Sequence, residues 1–235
     1  MRRFGPSSIL LVLFFIITNN TFSYSEAITN GFNDIKSYYF IAQNNFDNTA
    51  SNSFAIYHLE RWPIHKLLGY ISDISNIEIT IIYRISILLI VIMCSLLINS
   101  FNCNTRNKIA ALALLLFNPF TFRSYYAVPG MVTDAAFIFS LLLIISGIIN
   151  NNNFQIIIGS ILAIIFRQTG IILIPIIILL FYFDYISKNI AIICTLVILI
   201  GYNLIKSLTI FYYGSSETNY LFIHALGIIE WRSEE

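Results

Sequence analysis

The feature that most constrains this chain is a long apolar stretch with an arginine in its middle. From Phe154 to Phe183 the sequence carries no other charge, and Arg167-Gln168-Thr169-Gly170 divides it near its centre. Read as a single helix, those residues would run about 45 Å at the usual rise of about 1.5 Å. That exceeds the hydrocarbon thickness of a bilayer, about 30 Å. A guanidinium at the bilayer centre also costs about 2.5–3.5 kcal/mol on the insertion scale. Two shorter helices meeting at Arg167–Gly170 relieve both conflicts, with the turn set in a recess and held by protein.

The remainder of the chain fits this reading. Of 235 residues, 57% are hydrophobic and only 11% charged, and the mean hydropathy is +0.78. Soluble domains carry about 25% charged residues, so the composition points to an all-α integral membrane protein. A net charge of +1 offers no basic field for nucleic acid. The three cysteines, Cys94, Cys103 and Cys194, suggest neither a disulfide framework nor a metal site, because two of them lie inside apolar runs.

Taken in order, residues 1–22 predict a first transmembrane helix or signal anchor, with a cleaved signal peptide as the alternative. Residues 23–76 form the one long polar connection. Within it Ile35, Tyr38, Tyr39, Ala42 and Phe46 recur at helical spacing, as do Ile64, Leu67, Leu68 and Ile71 behind Pro63. Amphipathic, aromatic-rich helices of this kind lie in the membrane interface. Residues 77–213 predict a bundle of about six more helices: Ile77–Ile98 with Ser75 or Asn76 as its cap, Ile109–Phe122, Met131–Ile149, the two halves of Phe154–Phe183, and Ile190–Tyr213. Residues 214–235 form a tail. With about seven spans, parity puts Asp34, the Arg123–Asp134 region and Arg167 on one face. Lys206, midway along the last span, is expected to face the bundle interior.

Short motifs on that shared face resemble the GT-C superfamily of polytopic glycosyltransferases. They are Asp34 with Tyr38 and Ile41-Ala42, His58-Leu59-Glu60-Arg61 with Pro63 and His65, Pro129 to Asp134, and Phe166-Arg167-Gln168-Thr169-Gly170 followed by Pro175. The resemblance spans about residues 1–215. It implies a seven-helix module whose first extracytoplasmic loop holds an essential acidic residue and interfacial helices. It also implies a polyprenyl-phosphate-linked sugar as donor, a glycan, lipid or protein as acceptor, and a location in the plasma or inner membrane with the active site facing outside the cytoplasm. This chain departs from the superfamily in having a lone Asp34 where many members have paired acids, and in being shorter than most.

Under that reading Asp34 is the catalytic base, placed where a helix N-terminus favours a carboxylate; otherwise it is a helix cap. Arg167 holds donor phosphate with two parallel N–H donors, or forms a structural pair with Asp134. Gln168 and Arg123 join it in substrate binding. Tyr38, one turn after Asp34, binds sugar or orients the carboxylate, or is an ordinary interfacial tyrosine. His58 and Arg61 contact substrate, or form a solvated face. Asp134 supports the site or caps its span. No cofactor is expected, since one carboxylate is a poor cage for a divalent cation. The competing readings are a transporter or flippase, an O-antigen polymerase-like protein, and an inactive fragment of a glycosyltransferase.

Overall fold

The computed structural model describes residues 6–21, 33–118 and 121–215. The region of the signal-cleavage alternative and the tail beyond Ser215 lie outside those residues. Among the described residues all regular structure is helical: α1 (Pro6–Thr21), α2 (Asn33–Gln43), α3 (Ile56–Leu59), α4 (Trp62–Ser75), α5 (Ile79–Ser100), α6 (Thr105–Phe117), α7 (Phe122–Ala127), α8 (Val132–Ile149), α9 (Asn153–Phe166), α10 (Leu173–Tyr182) and α11 (Lys188–Tyr213). Short 3-10 turns precede α3, α8 and α10.

Three helical segments are long and apolar enough to cross a membrane: Ile79–Ser100, Pro129–Ile149 and Lys188–Tyr213. The apolar segments Ser8–Thr18, Asn153–Phe166 and Gln168–Tyr182 are shorter. The expected Ile109–Phe122 span is corrected to α6, whose 13 residues reach only about 20 Å. Its end follows from Pro119, which bars the preceding residue from helical geometry; Asn118 is extended, with φ −61° and ψ 126°. Asn76 is also reassigned. It does not cap α5 but closes α4 in the left-handed conformation, φ 54°, which asparagine tolerates better than most residues.

Backbone breaks elsewhere fall where the sequence supplies them. The Phe154–Phe183 stretch is interrupted at Arg167, whose extended backbone (φ −153°, ψ 123°) ends α9 ahead of the 3-10 turn Gln168–Ile172. Between α8 and α9, Asn151 takes φ 51° and the Asn152 side chain accepts from the Gln155 amide at 3.3 Å. The asparagine run is therefore a turn with its own cap.

Close helix approach is built on small residues. A Cβ added at Gly159 of α9 would stand 2.9 Å from the Ser140 carbonyl oxygen of α8. Several hydroxyls inside these apolar helices are satisfied locally. Ser95, Ser140 and Ser160 each donate to the carbonyl four residues earlier, at 2.9, 2.8 and 2.9 Å.

The segment from α2 to α4 packs onto this bundle. Ile35, Tyr38, Ile41 and Ala42 are the buried apolar residues of α2; of the predicted set, Tyr39 is only half-buried, and Phe46 lies past the helix and stacks on Tyr212 at 4.0 Å. In α4 the buried face is His65, Leu68 and Gly69, while Leu67, Tyr70, Ile71 and Ile74 form an exposed apolar stripe. A Cβ on Gly69 would meet the Ala42 carbonyl oxygen at 2.0 Å, so α2 and α4 touch backbone to backbone there. Gly69→Val is expected to destabilise the solubilised protein by about 1–3 kcal/mol. Thermal unfolding reads this as a lowered Tm; an unchanged Tm would show that the two helices do not approach so closely.

Candidate functional site

Three chain breaks converge on one carboxylate. Pro129–Met131 makes a 3-10 turn into α8, and Asp134 occupies the first turn of that helix with its side chain 3% exposed. Arg61 immediately precedes α4, and Arg167 is the residue between α9 and its 3-10 turn. Each arginine sits where a helix has ended and the backbone is free to turn its side chain inward. Arg61 Nη1 lies 3.4 Å from Asp134 Oδ2, and Arg167 Nη1 pairs with Oδ1 of the same carboxylate. Arg61 is nearly buried, whereas the Arg167 side chain is 32% exposed.

A ring of aromatic and imidazole groups backs the cluster. Arg61 Nη1 donates to the Tyr38 hydroxyl, and its guanidinium lies 5.4 Å from the Tyr38 ring centroid. Tyr38 stacks on His65 at 4.6 Å with an interplanar angle of 11°. His65 Nδ1 is 2.8 Å from the Tyr83 hydroxyl, which donates to the Tyr38 carbonyl at 3.3 Å. Both bonds are satisfied when Nδ1 carries the imidazole proton and donates it to Tyr83. Ser37 Oγ lies 3.3 Å from His58 Nδ1, and Gln168 Nε2 donates to the Tyr57 carbonyl at 2.8 Å. The break after α9 is thereby tied to the connection between α2 and α4.

Electrostatics follow from burial and the two arginines. His65 is pushed down to about 3, first by burial and then by the Arg61 charge, so it is neutral at ordinary pH. Tyr125 of α7 is raised, first by burial and then by the Asp134 carboxylate, with Arg167 and Arg61 opposing. Among the described residues, two guanidiniums against one carboxylate leave the cluster net positive. Arg61 Nε, Arg167 Nε, Gln168 Oε1 and Thr133 Oγ1 are buried and make no hydrogen bond. Such a site has room for an anion that accepts from the two Nε–H groups.

The residues singled out from sequence fare differently. Tyr38, Arg61, Asp134 and Arg167 come together, with His58 and Gln168 alongside. Burial of His58 and Arg61 rules out a solvated face, and burial of Tyr38 rules out an ordinary interfacial tyrosine. Arg167 does pair with Asp134, the structural alternative to a phosphate contact, and Asp134 does not cap α8. Asp34 falls in the first turn of α2, one turn before Tyr38; its side chain lies outside the described residues. Ile35 and Tyr38 approach Gly130, so the start of α2 rests on the turn that leads to Asp134. Arg123 is half-buried in the first turn of α7. Lys206 is corrected: it is exposed on α11 rather than turned into the bundle. Sequence reading gave His65 a place in a motif but no role, and missed Tyr83, Tyr57 and Tyr125, for which a polar atom inside an apolar helix or beside a motif was the available signal. Among the described residues no group of three or more His, Cys, Asp or Glu side chains gathers to hold a metal.

Comparison with protein-family models, curated proteins and solved structures returned no match to this chain.

Two outcomes follow. Asp134→Ala leaves two guanidiniums facing one another without their carboxylate and is expected to cost about 3–5 kcal/mol, measured by denaturant or thermal unfolding in detergent. His65 sets a pH dependence. The unfolded chain binds its proton near 6.5 and the folded chain only near 3. Its penalty is absent above 6.5 and grows as pH falls from there toward 3, so stability declines through that window. His65→Gln is expected to flatten this part of the Tm-against-pH curve relative to the parent.

Proposed function

We propose that this chain is an inverting membrane glycosyltransferase that moves a sugar from a polyprenyl-phosphate donor to a glycan, lipid or protein acceptor. The observation that carries the reading is the pair of guanidiniums sharing one carboxylate, with spare buried N–H donors and Arg167 partly open. Such a site suits a singly charged phosphodiester, and the same donors offset the charge that develops on phosphate as it leaves. Arg61 and Arg167 hold the phosphate, with Gln168 and Arg123 at its border. Asp34 accepts the proton of the acceptor hydroxyl. The hydroxyl oxygen bonds to the anomeric carbon, the bond from that carbon to the phosphate oxygen breaks, and its electron pair leaves on the phosphate. Lipid phosphate is a good leaving group, so a single carboxylate suffices. Tyr38 and His58, both buried, back the site on the α2 side.

This reading includes seven spans, the three long segments joined by the shorter apolar helices, and a site facing outside the cytoplasm of the plasma or inner membrane. Cys103, exposed in the connection between α5 and α6, tests the topology directly. A membrane-impermeant maleimide is expected to label it from the cytoplasmic side only. Labelling from outside would invert the arrangement and remove the assignment of the site.

Transfer is tested with the purified protein in proteoliposomes supplied with radiolabelled polyprenyl-phosphate sugar. Asp34→Asn is expected to lower transfer at least about 100-fold, the low end for a positioned base, while donor binding persists. Arg167→Ala is expected to weaken donor binding itself. Near-normal transfer by Asp34→Asn in a folded protein would end the proposal. The broken helix at Arg167–Ile172 also suits a transporter, whose interrupted helices meet substrate within the membrane. Vesicle flux of lipid-linked sugar without bond cleavage, insensitive to Asp34→Asn, would favour that reading.

A further inference from the structure

The last helix, α11, is covered on one side. Cys194 and Ile198 lie in the apolar cluster shared with α9 and α10, and Ile205, Thr209 and Tyr213 continue the same buried side. The opposite side is exposed along its length, at Ile193, Leu196, Ile200, Asn203, Ser207 and Ile210. Those positions advance by three and four residues in turn, a period of about 3.5. That is the seam of a left-handed helix pair, the geometry of most helix contacts within membranes.

Lipid alone does not suit this seam. The helix is long and apolar enough to cross a membrane, and Asn203 lies about 15 Å from its C-terminal end at the helical rise. Asn203 Nδ2 donates to the Leu199 carbonyl at 2.8 Å. That uses one of its two N–H groups and leaves Oδ1 without a hydrogen bond among the described residues. The Ser207 hydroxyl and the Lys206 ammonium, both exposed, likewise make none there. Hydrocarbon offers no partner to any of the three. An open groove of about 420 Å³ follows the same stretch, lined by Leu199, Ile200, Asn203, Leu204 and Ser207.

We infer that the α11 seam is where a second copy of this chain docks, as a parallel, in-register helix pair about a two-fold axis along the membrane normal. The seam is self-complementary. In a parallel pair each seam residue faces its own counterpart, so Asn203 of each copy gives its spare N–H to the Oδ1 of the other. Ser207 forms the next polar layer, and Ile200 and Leu204 enter the groove of the facing helix. Lys206 falls on the flank of the seam, opposite Phe211 of the second copy, because such flanks meet five residues apart. Phe211 is 75% exposed, and its ring takes the ammonium as a cation–π partner. The two lysines then stand on opposite sides of the seam, not against one another. No residue of the Asp134 cluster takes part, so the inference stands apart from the transferase reading.

The test uses the full chain in proteoliposomes with Cys103→Ser, since the other two cysteines are buried. Leu196→Cys, Ile200→Cys and Ser207→Cys are made singly, oxidised with copper phenanthroline and read as dimer on a non-reducing gel. All three are expected to cross-link, because parallel in-register pairing brings every seam position to its own counterpart. Leu89→Cys on α5 reports random collision, its residue being 54% exposed against 51% for Leu196, and it is expected to stay monomeric. Fluorescence transfer between copies labelled at Cys103 and diluted in lipid gives the dimer affinity. Asn203→Leu is expected to weaken it about three- to tenfold, the effect of losing an interhelical hydrogen bond in lipid. Equal cross-linking at Leu89→Cys, cross-linking at one seam position alone, no dimer at any dilution, or unchanged affinity in Asn203→Leu would overturn the inference.

Discussion

The structure around the candidate site depends on one carboxylate shared by two arginines. Asp134 is buried, and its two oxygens are taken by different guanidiniums, one from the turn between α3 and α4 and one from the break after α9. Neither arginine lies in the body of a helix, and neither partner is near Asp134 in sequence. The carboxylate thus fixes the relative position of three separate segments. A buried ion pair of this kind adds little net stability, since desolvation opposes the Coulombic gain. Its effect is on geometry: with Asp134 in place, both arginines are held to one carboxylate.

The supporting groups distribute the cost of that arrangement. Tyr38 receives a hydrogen bond from Arg61 and stacks on His65, and His65 is fixed in turn by Tyr83 at the start of α5. The connection from α2 to α4 is therefore held by polar contacts to α5, α8 and the turn after α9, as well as by the backbone contact at Gly69. Neutral His65 avoids adding a third positive charge beside Arg61. Within the apolar helices, the Ser95, Ser140 and Ser160 hydroxyls bond to their own backbone, whereas the cluster is joined by contacts between distant segments.

Several of these elements were legible in the sequence for local reasons. The break at Arg167 follows from length and from one charge, and both can be counted along the chain. The faces of α2 follow from apolar period, and Pro63 at the start of α4 follows from its missing N–H. Other local signals competed and misled. Ile109–Phe122 looks continuous by hydropathy, but Pro119 and the extended Asn118 shorten α6. Ser75-Asn76 looks like the start of a helix, yet Asn76 ends one, because asparagine serves both positions. Lys206 was assigned to the interior by its depth alone, and depth does not decide which side of a helix its neighbours cover.

By itself the sequence determined that the chain is helical and apolar, that its long Phe154–Phe183 stretch breaks at Arg167, and which few ionisable residues lie near that break and the polar connections. These are properties of short windows, set by period, length and the cost of charge in hydrocarbon. Only the tertiary structure decided that Asp134 joins Arg61 and Arg167 and that His65 is the neutral partner of Tyr38. Arg61 and Asp134 are 73 residues apart, and no spacing rule links two residues on separate elements. Their pairing arises from how the helices pack, through glycine and serine contacts that a hydropathy pattern does not resolve.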